Sequence, residues 1–418
     1  MTPPAAAFGP LAGVKVLELC STIAGPACAR LLADFGADVI KVEPPAGDSM
    51  RSMGKHVGDV SLYAATLLRN KRSVAIDMKK EEGRALVRAL ADRVDLLVEN
   101  FRPGVLERLG LGYDELAKTN PGLVMVRISG FGQTGPYSQR PGYGAICEAL
   151  GGVRHMTGDP DRPPARVALA TTDYLSAVYA AFGASMALIE RNRSGKGQVV
   201  DVALYEAAFS QMEAYTNAYE KLGYVPARVG PNLPTMAPNS LYPTRDGAYV
   251  LIAANSDPTF KRLVEAMGRP GLLQDPRFSS IRARGANLEA CNATVAEWTR
   301  LHDAAQVERL LLEAQVPVSR VYTIADIYED PHYRAREMLV RVPHPELGHT
   351  TQHGVVPKLS RTPGAIVRSG PELGEDTRAV LAAELGLDAA ALDRLAVAAV
   401  IVEGATRPAI DSASQNEV

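Results

Sequence analysis

Apolar and polar positions in the first half of the chain follow a repeating pattern. Short apolar runs, which suit buried parallel strands, alternate with amphipathic stretches that have the period of a helix. The predicted strands are 14–19, 38–43, 73–77, 94–99, 123–129 and 198–203, and the predicted helices among them are 27–35, 81–92, 104–109 and 113–118. This alternation is typical of a large, doubly wound, Rossmann-like α/β domain with a parallel sheet.

A longer helix is predicted from Tyr174 to about Arg191, and its inward positions are mostly alanine. Thr171 or Thr172 is expected to be its N-cap, because a hydroxyl can accept from the free amides of the first turn. Asp173 would then lie at the positive end of the helix dipole, which favours the ionised carboxylate. A carboxylate held there could act as a nucleophile. Acidic residues in a first turn also commonly serve only as capping partners.

The pattern changes in the second half of the chain. Predicted helices cover 204–222, 259–267, 288–300, 304–314 and 375–385, a hairpin covers 240–254 with its turn at 245–247, and sheet and loop return at 336–359. The predicted organisation is a large α/β domain at 1–224, a small α+β domain at 225–330, a return to the large domain at 331–404 and a disordered tail at 405–418.

Composition adds mainly exclusions. With 418 residues, two or three domains are expected, and 46% hydrophobic residues is a globular composition. A net charge of -2 does not steer the chain toward nucleic acid or an anionic membrane. No apolar run reaches the ~20 residues of a spanning helix, and residues 1–10 lack the pattern of a secretory signal. Neither a nucleic-acid nor a membrane partner is therefore expected.

Cysteine and histidine spacing gives no sign of a metal site. Four scattered cysteines, none in a CxxC pair, indicate reduced thiols in a cytoplasmic protein: Cys20, Cys28, Cys147 and Cys291. The histidines lack HExxH spacing, and the group His344, His349 and His353 lies in a Pro/Gly-rich stretch. No bound metal is expected.

Ligands of doubly wound sheets bind beyond the carboxyl ends of the strands. The segments predicted there are 22–26, Lys79, 100–103 and 130–136. Asn100, Phe101 and Arg102 directly follow a strand, so an amide and an aromatic ring could hold a flat heterocycle while the cation takes a phosphate.

Other nucleotide and hydrolase motifs fit poorly. Glu43 lies where the ribose-binding acid of a dinucleotide site would belong, but the first turn has one glycine, Gly25, and Pro26 stands where helix packing calls for another. The sequence has no G-x-S-x-G elbow and no P-loop, so it does not favour a serine hydrolase or a nucleoside triphosphatase.

Many segments, in one order from about residue 10 to 400, match a known family. They are 10–18, 24–26, 36–44, 47–48 with Arg51, 70–73, 99–104, 129–132, 195–198 and 201–204. Together they resemble the class III CoA-transferase family, which includes formyl-CoA, carnitine and succinyl-CoA-dependent transferases and the α-methylacyl-CoA racemases. The resemblance implies a large doubly wound domain, a small domain, and two chains threaded through each other as an interlocked homodimer.

The resemblance also implies a chemistry for Asp173. In the transferases the matching aspartate attacks an acyl-CoA thioester, forms an acyl-aspartyl anhydride and then an aspartyl-CoA thioester, and an acceptor acid completes the exchange. Acyl-CoA and a small carboxylic acid, possibly a dicarboxylic acid, would then be the substrates, with no prosthetic group. The positions that match CoA contacts are Ile23, Ala24, Ile76, Lys79, Asn100, Phe101 and Arg108. The acid would lie near Tyr143 and Gly230.

Two departures narrow the expected activity. Formyl-CoA transferases carry glutamine at the position of Ile23, arginine at that of Pro44 and a glycine run near 229–232, so formyl-CoA and oxalate are not favoured. The racemases pair their aspartate with a histidine, where this chain has Tyr143, and a tyrosine with a pKa near ~10 is a poor general base. A CoA-transferase is the first hypothesis. The alternatives are a racemase or isomerase with Asp173 as base, a non-catalytic acyl-CoA binder, and a dehydrogenase.

Overall fold

The computed structural model describes residues 8–404, and the predicted disordered tail at 405–418 lies outside them. The strands are β1 Lys15–Leu19, β2 Asp38–Glu43, β3 His56–Val57, β4 Val60–Ser61, β5 Lys71–Ile76, β6 Leu96–Glu99, β7 Val124–Ser129, β8 Val199–Ala203, β9 Asn239–Pro243, β10 Tyr249–Ala253, β11 Val318–Arg320, β12 Leu339–His344, β13 Gly348–His353 and β14 Ile401–Val402.

The α-helices are α1 Ala24–Asp34, α2 Leu62–Leu67, α3 Glu81–Ala91, α4 Val105–Arg108, α5 Tyr113–Leu116, α6 Gly144–Leu150, α7 Val153–Met156, α8 Thr171–Ser194, α9 Leu204–Phe209, α10 Tyr215–Leu222, α11 Asp257–Ala266, α12 Ile281–Ala286, α13 Leu288–Thr299, α14 Ala304–Glu313, α15 Ile324–Glu329, α16 Pro331–Ala335, α17 Thr377–Leu385 and α18 Ala389–Val397. Ser49–Ser52 and Pro270–Gln274 form 3₁₀ turns. In the described part of the chain, every helix is too short or too polar to cross a membrane.

The chain divides into two compact units. Among the described residues, the first comprises 8–153, 167–213 and 333–404, and the second comprises 154–166 and 214–332. The second unit therefore begins earlier than the predicted 225 and takes in a segment from the first half of the chain. The predicted single helix over 204–222 is wrong: α9 ends at Phe209 and α10 begins at Tyr215. Glu213 between them has φ +45°, which a continuous α-helix cannot accommodate.

The first unit is built on a seven-stranded sheet in the order β14-β5-β2-β1-β6-β7-β8, parallel throughout except for β14. Successive side chains point to opposite faces, so Val16 packs in one core with α1 and α8 while Leu17 packs in another with α3, α17 and α18. Apolar runs without polar interruption are what a sheet covered on both faces requires. The predicted large α/β domain with a predominantly parallel sheet is confirmed.

Helix α8 differs from its prediction at its start. It begins at Thr171, the N-cap residue is Ala170, and no side chain caps it, so the predicted threonine cap is wrong. Thr172 is buried inside the first turn. Asp173 does lie in that first turn, as predicted. Glycine at 183 allows close packing on the sheet, because an added Cβ would lie 2.6 Å from Val200 Cγ1.

The second unit has a three-stranded sheet in the order β11-β10-β9. Its strands are antiparallel, and α11, α13 and α14 contribute to the core around Tyr242 and Phe260. The predicted hairpin is confirmed, because β9 and β10 are joined by a turn in which the Gly247 N–H donates to Thr244 O at 3.1 Å. Gly247 has φ +77°, a conformation that glycine adopts without strain.

Candidate active site

A cavity of about 180 Å³ lies at the carboxyl edge of the parallel sheet in the first unit. Residues of the segments 21–24, 100–103 and 128–130 line it, and these include the loops that follow β1, β6 and β7. Residues 138 and 140–143, Asp173 and Leu204 complete the lining. Because β1, β6 and β7 are neighbours in the sheet, the loops after them meet at one place.

Asp173 enters the cavity from the first turn of α8 and is half-buried. Its carboxylate lies directly against the backbone of Gly144, the first residue of α6: a Cβ built on Gly144 would fall 2.1 Å from Asp173 Oδ2. A larger residue at this position would have to displace the carboxylate. Among the described residues that line the cavity, Asp173 is the one carboxylic acid.

The charge of Asp173 affects the pKa of two weakly acidic side chains nearby. Burial, and then the charge of Asp173, raise the pKa of the Cys147 thiol to about 11. The pKa of Tyr63 is also raised, by burial, then by its hydrogen bond with Tyr174, and to a smaller extent by Asp173. Both groups are therefore uncharged at neutral pH. The Cys147 thiol donates to Gly130 O at 3.2 Å and does not compete as a thiolate nucleophile.

Two glycines let the loops of the cavity touch through their backbones. A Cβ on Gly130 would lie 2.8 Å from Gly142 Cα, and one on Gly142 would lie 2.9 Å from Gly130 Cα. Both residues line the cavity, so this contact shapes its wall. The pairing joins residues from two loops, and nothing in their local sequence indicates it.

Two cations also line the cavity, Arg102 and Arg140. The guanidinium carbon of Arg140 lies 3.5 Å from the centre of the Tyr137 ring, a cation–π contact that orients this side chain. Arg102 was singled out in the sequence as a possible phosphate contact, whereas Arg140 was missed. With two guanidinium groups and one carboxylate, the lining suits anionic ligands.

The structure brings together six of the ten residues predicted for the site. Those that line the cavity are Asp173, Ile23, Ala24, Asn100, Phe101 and Tyr143. Ile76 does not, because it is fully buried and pairs with Ile401 in the sheet. Lys79 and Arg108 are exposed cations outside the lining. Gly230 belongs to the second unit, where its N–H donates to Gly158 O at 3.1 Å.

Within residues 8–404, no group of three or more His, Cys, Asp or Glu side chains is arranged to hold a metal ion. Cys20, Cys28, Cys147 and Cys291 are all free and buried. The thiols are unpaired, as the scattered spacing predicted.

Comparison with known proteins agrees with this arrangement. Residues 11–377 match CoA-transferase family III. A succinyl-CoA–D-citramalate CoA-transferase from Chloroflexus aurantiacus is 48% identical over 380 residues, covering 90% of this chain and 94% of the relative. An acetyl-CoA:oxalate CoA-transferase from Acetobacter aceti is 38% identical over 342 residues, covering 81% and 88%.

A solved structure is also similar over nearly the whole chain. The crystal structure of a CaiB/BaiF family protein from Brucella suis superposes with a TM-score of 0.80 at 35% identity, covering 90% of this chain and all of that one. The predicted resemblance is thereby confirmed in both sequence and fold. This chain belongs to CoA-transferase family III and is a CoA-transferase.

Proposed function

We propose that this enzyme moves CoA from an acyl-CoA donor to a dicarboxylic acid through covalent intermediates on Asp173. The observation that carries the proposal is the position of the Asp173 carboxylate in the cavity at the carboxyl edge of the sheet. CoA thiolate cannot be transferred directly onto a free carboxylic acid, because the carboxylate oxygen that it would have to displace is a poor leaving group. A covalent relay divides the exchange into steps in which thiolate or carboxylate leaves.

The relay is balanced in atoms and charge. An oxygen of Asp173 attacks the thioester carbonyl. The C–S bond breaks, CoA thiolate departs, and an acyl-aspartyl anhydride is formed. The thiolate then attacks the aspartyl carbonyl, releasing the donor acid and leaving an aspartyl-CoA thioester. The acceptor carboxylate attacks that thioester, forms a new anhydride and again frees the thiolate. Attack of the thiolate on the acceptor carbonyl gives the new acyl-CoA and regenerates Asp173.

The lining of the cavity supports this chemistry. Backbone amides of the glycine loops at Gly130 and Gly142 are the groups we assign to the oxyanions that form at each attack. Ile23, Ala24, Asn100 and Phe101 are proposed to lie along CoA, and the exposed Lys79 and Arg108 toward its phosphates. The buried Ile76 side chain is left out of this assignment, because it has no exposed surface with which to touch a ligand.

The acceptor is proposed to be a dicarboxylic acid. The relatives compared above are named for D-citramalate and oxalate, both of which carry two carboxylates. After one carboxylate has reacted, the other still needs a cationic partner, and Arg102 and Arg140 provide two in the cavity. Tyr143, which lines the cavity and is 71% exposed, remains a proposed contact of the acid.

We further propose that the enzyme is a homodimer of the interlocked kind. The outward side of α8 exposes Val178, Phe182, Met186 and Ile189, with 45–61% of each residue accessible. These residues follow one another at helical spacing and form one apolar face, which a second copy would cover. Light scattering should give twice the mass of the chain, and Phe182→Glu should lower the measured mass.

The four buried free thiols support the expectation of a reducing, cytoplasmic environment.

Mass spectrometry after incubation with succinyl-CoA tests the covalent relay. We expect a CoA-sized adduct on the peptide that carries Asp173, and hydroxylamine should replace it with a hydroxamate at the same residue. Asp173→Asn should show neither. Absence of an adduct, combined with deuterium incorporation at the α-carbon of a branched acyl-CoA, would instead establish the racemase alternative.

A further inference from the structure

The 21–24 loop has a strained backbone at Thr22. This residue has φ +69°, in the left-handed region that a β-branched side chain strongly disfavours. Thr22 and its neighbours Ser21, Ile23 and Ala24 all line the cavity that contains Asp173. Strain of this kind persists only where surrounding contacts hold the residue in place, and Thr22 has such contacts on the loop around it.

One contact is a side-chain clamp from Asn100. Its Oδ1 accepts from Ser21 N at 2.9 Å, and its Nδ2 donates to Ser21 O at 2.8 Å. The amide thus pairs with both polar groups of one loop residue. Asn100 is therefore engaged with the protein backbone in addition to facing the cavity.

A second contact comes from Asp48, which does not line the cavity and is 4% exposed. Its Oδ1 accepts from Thr22 N at 3.1 Å and from Met50 N at 3.0 Å. The first of these bonds reaches the strained residue itself. No local pattern predicts this contact, because Asp48 and Thr22 are 26 residues apart in the chain.

A buried charge network holds Asp48 in turn. Lys41 Nζ lies 2.8 Å from Asp48 Oδ2, 3.0 Å from Glu18 Oε1 and 2.8 Å from Cys20 O. Lys71 Nζ lies 2.7 Å from the other oxygen of Glu18. Burial by itself would lower the pKa of Lys41, but Glu18 and Asp48 outweigh it and raise the pKa, so this lysine stays charged. Lys41 thus joins Asp48 to Glu18 in the buried interior.

Three consecutive residues are therefore held from three sides. Lys41 binds the carbonyl of Cys20, Asn100 binds both polar backbone groups of Ser21, and Asp48 binds the N–H of Thr22. We propose that Asp48, held by Lys41, is a positioning residue that keeps the 21–24 loop in the strained form that binds acyl-CoA. The inference rests on the proposed function in that acyl-CoA is taken as the ligand of this loop.

Asp34 offers a matched control. It is 1% exposed, and it forms an equally buried ion pair, with Arg69 Nη2 at 2.7 Å from its Oδ2. It does not line the cavity, and its carboxylate accepts hydrogen bonds from Arg30, Arg69 and Asn70, which lie outside the 21–24 loop. Removing either carboxylate leaves a buried cation short of a partner and should destabilise the fold. Only the loss of Asp48 should also release the loop.

The experiment measures KM for succinyl-CoA, kcat and the dissociation constant of CoA for Asp48→Ala and Asp34→Ala. Both variants should have a lower Tm. Asp48→Ala should raise KM and the CoA dissociation constant about tenfold, as loss of one charge-assisted hydrogen bond would. Asp34→Ala should leave both constants within about twofold of wild type. A tenfold change, as expected from the loss of one charge-assisted hydrogen bond, is easily distinguished from that range. Asp48→Asn keeps the shape and an acceptor oxygen, so a KM between those of wild type and Asp48→Ala is expected.

The outcomes separate this proposal from the proposed function. If wild type forms no adduct on Asp173, the covalent relay fails. If wild type forms the adduct but Asp48→Ala and Asp34→Ala share the same KM, Asp48 is only structural and the positioning role is overturned. Should Asp48→Ala be insoluble, Asp48→Asn decides by the same comparison. Adding Thr22→Gly to the Asp48 variant should bring KM back toward wild type, because glycine adopts the left-handed conformation without being held.

Discussion

The first unit contains two kinds of carboxylate. Glu18, Glu43, Asp34 and Asp48 are at most 4% exposed, and each lies 2.7–2.8 Å from a lysine or arginine nitrogen. Asp173 is half-buried and lines a cavity of about 180 Å³. The two kinds differ in their access to ligands.

The difference follows from the free energy of charge burial. A carboxylate removed from water needs a fixed cation and further hydrogen bonds, and such a group is held too firmly and too far from solvent to attack a substrate. A nucleophile must instead be reachable by the reacting carbon. The buried set thus organises the fold and the loop beside the cavity, and the accessible Asp173 is left to react.

The largest expected effect is on Asp173 itself. Asp173→Asn keeps the shape but replaces the nucleophilic carboxylate with a neutral amide, so kcat should fall by at least about 10³-fold while Tm changes little. A coupled assay of new acyl-CoA measures the loss. Asp201→Asn, which alters a carboxylate outside the cavity lining, serves as the control and should retain most activity. Comparable losses of kcat in both variants would show that Asp173 is not the specific nucleophile.

The next effect concerns the position of the same carboxylate. Gly144→Ala places a methyl group 2.1 Å from the present position of Asp173 Oδ2 and should displace the carboxylate by about an ångström. We expect a loss of about 10²-fold in kcat with a small change in Tm. In Gly271→Ala the added Cβ meets nothing within 4 Å, so this variant should keep full activity. A fully active Gly144→Ala would show that the orientation of Asp173 is not limiting.

A smaller effect is expected on the stability of the fold in acid, to which the buried carboxylates contribute. Burial alone would raise the pKa of Glu43, but hydrogen bonds from Arg51, the charge of Lys41 and a bond from Ser73 lower it from 4.5 to about 2. The stabilisation is therefore complete above the unfolded pKa and is lost as pH falls from about 4.5 to about 2. It amounts to about 3 kcal/mol at neutral pH.

Urea unfolding at pH 6, 4 and 3 checks this prediction. Wild type should lose more free energy of unfolding over that range than Glu43→Gln, which cannot titrate at this position. Parallel losses in the two proteins would mean that Glu43 does not contribute to acid sensitivity.

The smallest expected effect is at Cys147, the thiol that lies near Asp173. Because its pKa is raised to about 11, the thiol should resist iodoacetamide at pH 8 in the folded protein. Cys147→Ser should transfer CoA within about twofold of wild type, since a hydroxyl can also donate to Gly130 O. An adduct found on Cys147 instead of Asp173 would identify a different nucleophile.

Local patterns in the sequence were sufficient for much of the fold. Apolar runs predicted the strands of the parallel sheet, and the turn at 245–247 predicted the hairpin, because side-chain period and turn chemistry are properties of neighbouring residues. The predictions failed where distant packing decides. Ala170 rather than a threonine is the N-cap of α8, and the break between Phe209 and Tyr215 interrupts a stretch with helical composition.

The sequence by itself determined the class of domain, the family and the position of Asp173 in the first turn of a helix. These depend on residue order and on motifs that stay the same wherever they lie in space. The tertiary structure alone decided that Gly144 lies against the Asp173 carboxylate, that Gly130 meets Gly142, and that Asp48 holds Thr22. Such contacts join residues separated along the chain, and they form because parallel strands bring their carboxyl ends to one edge of the sheet.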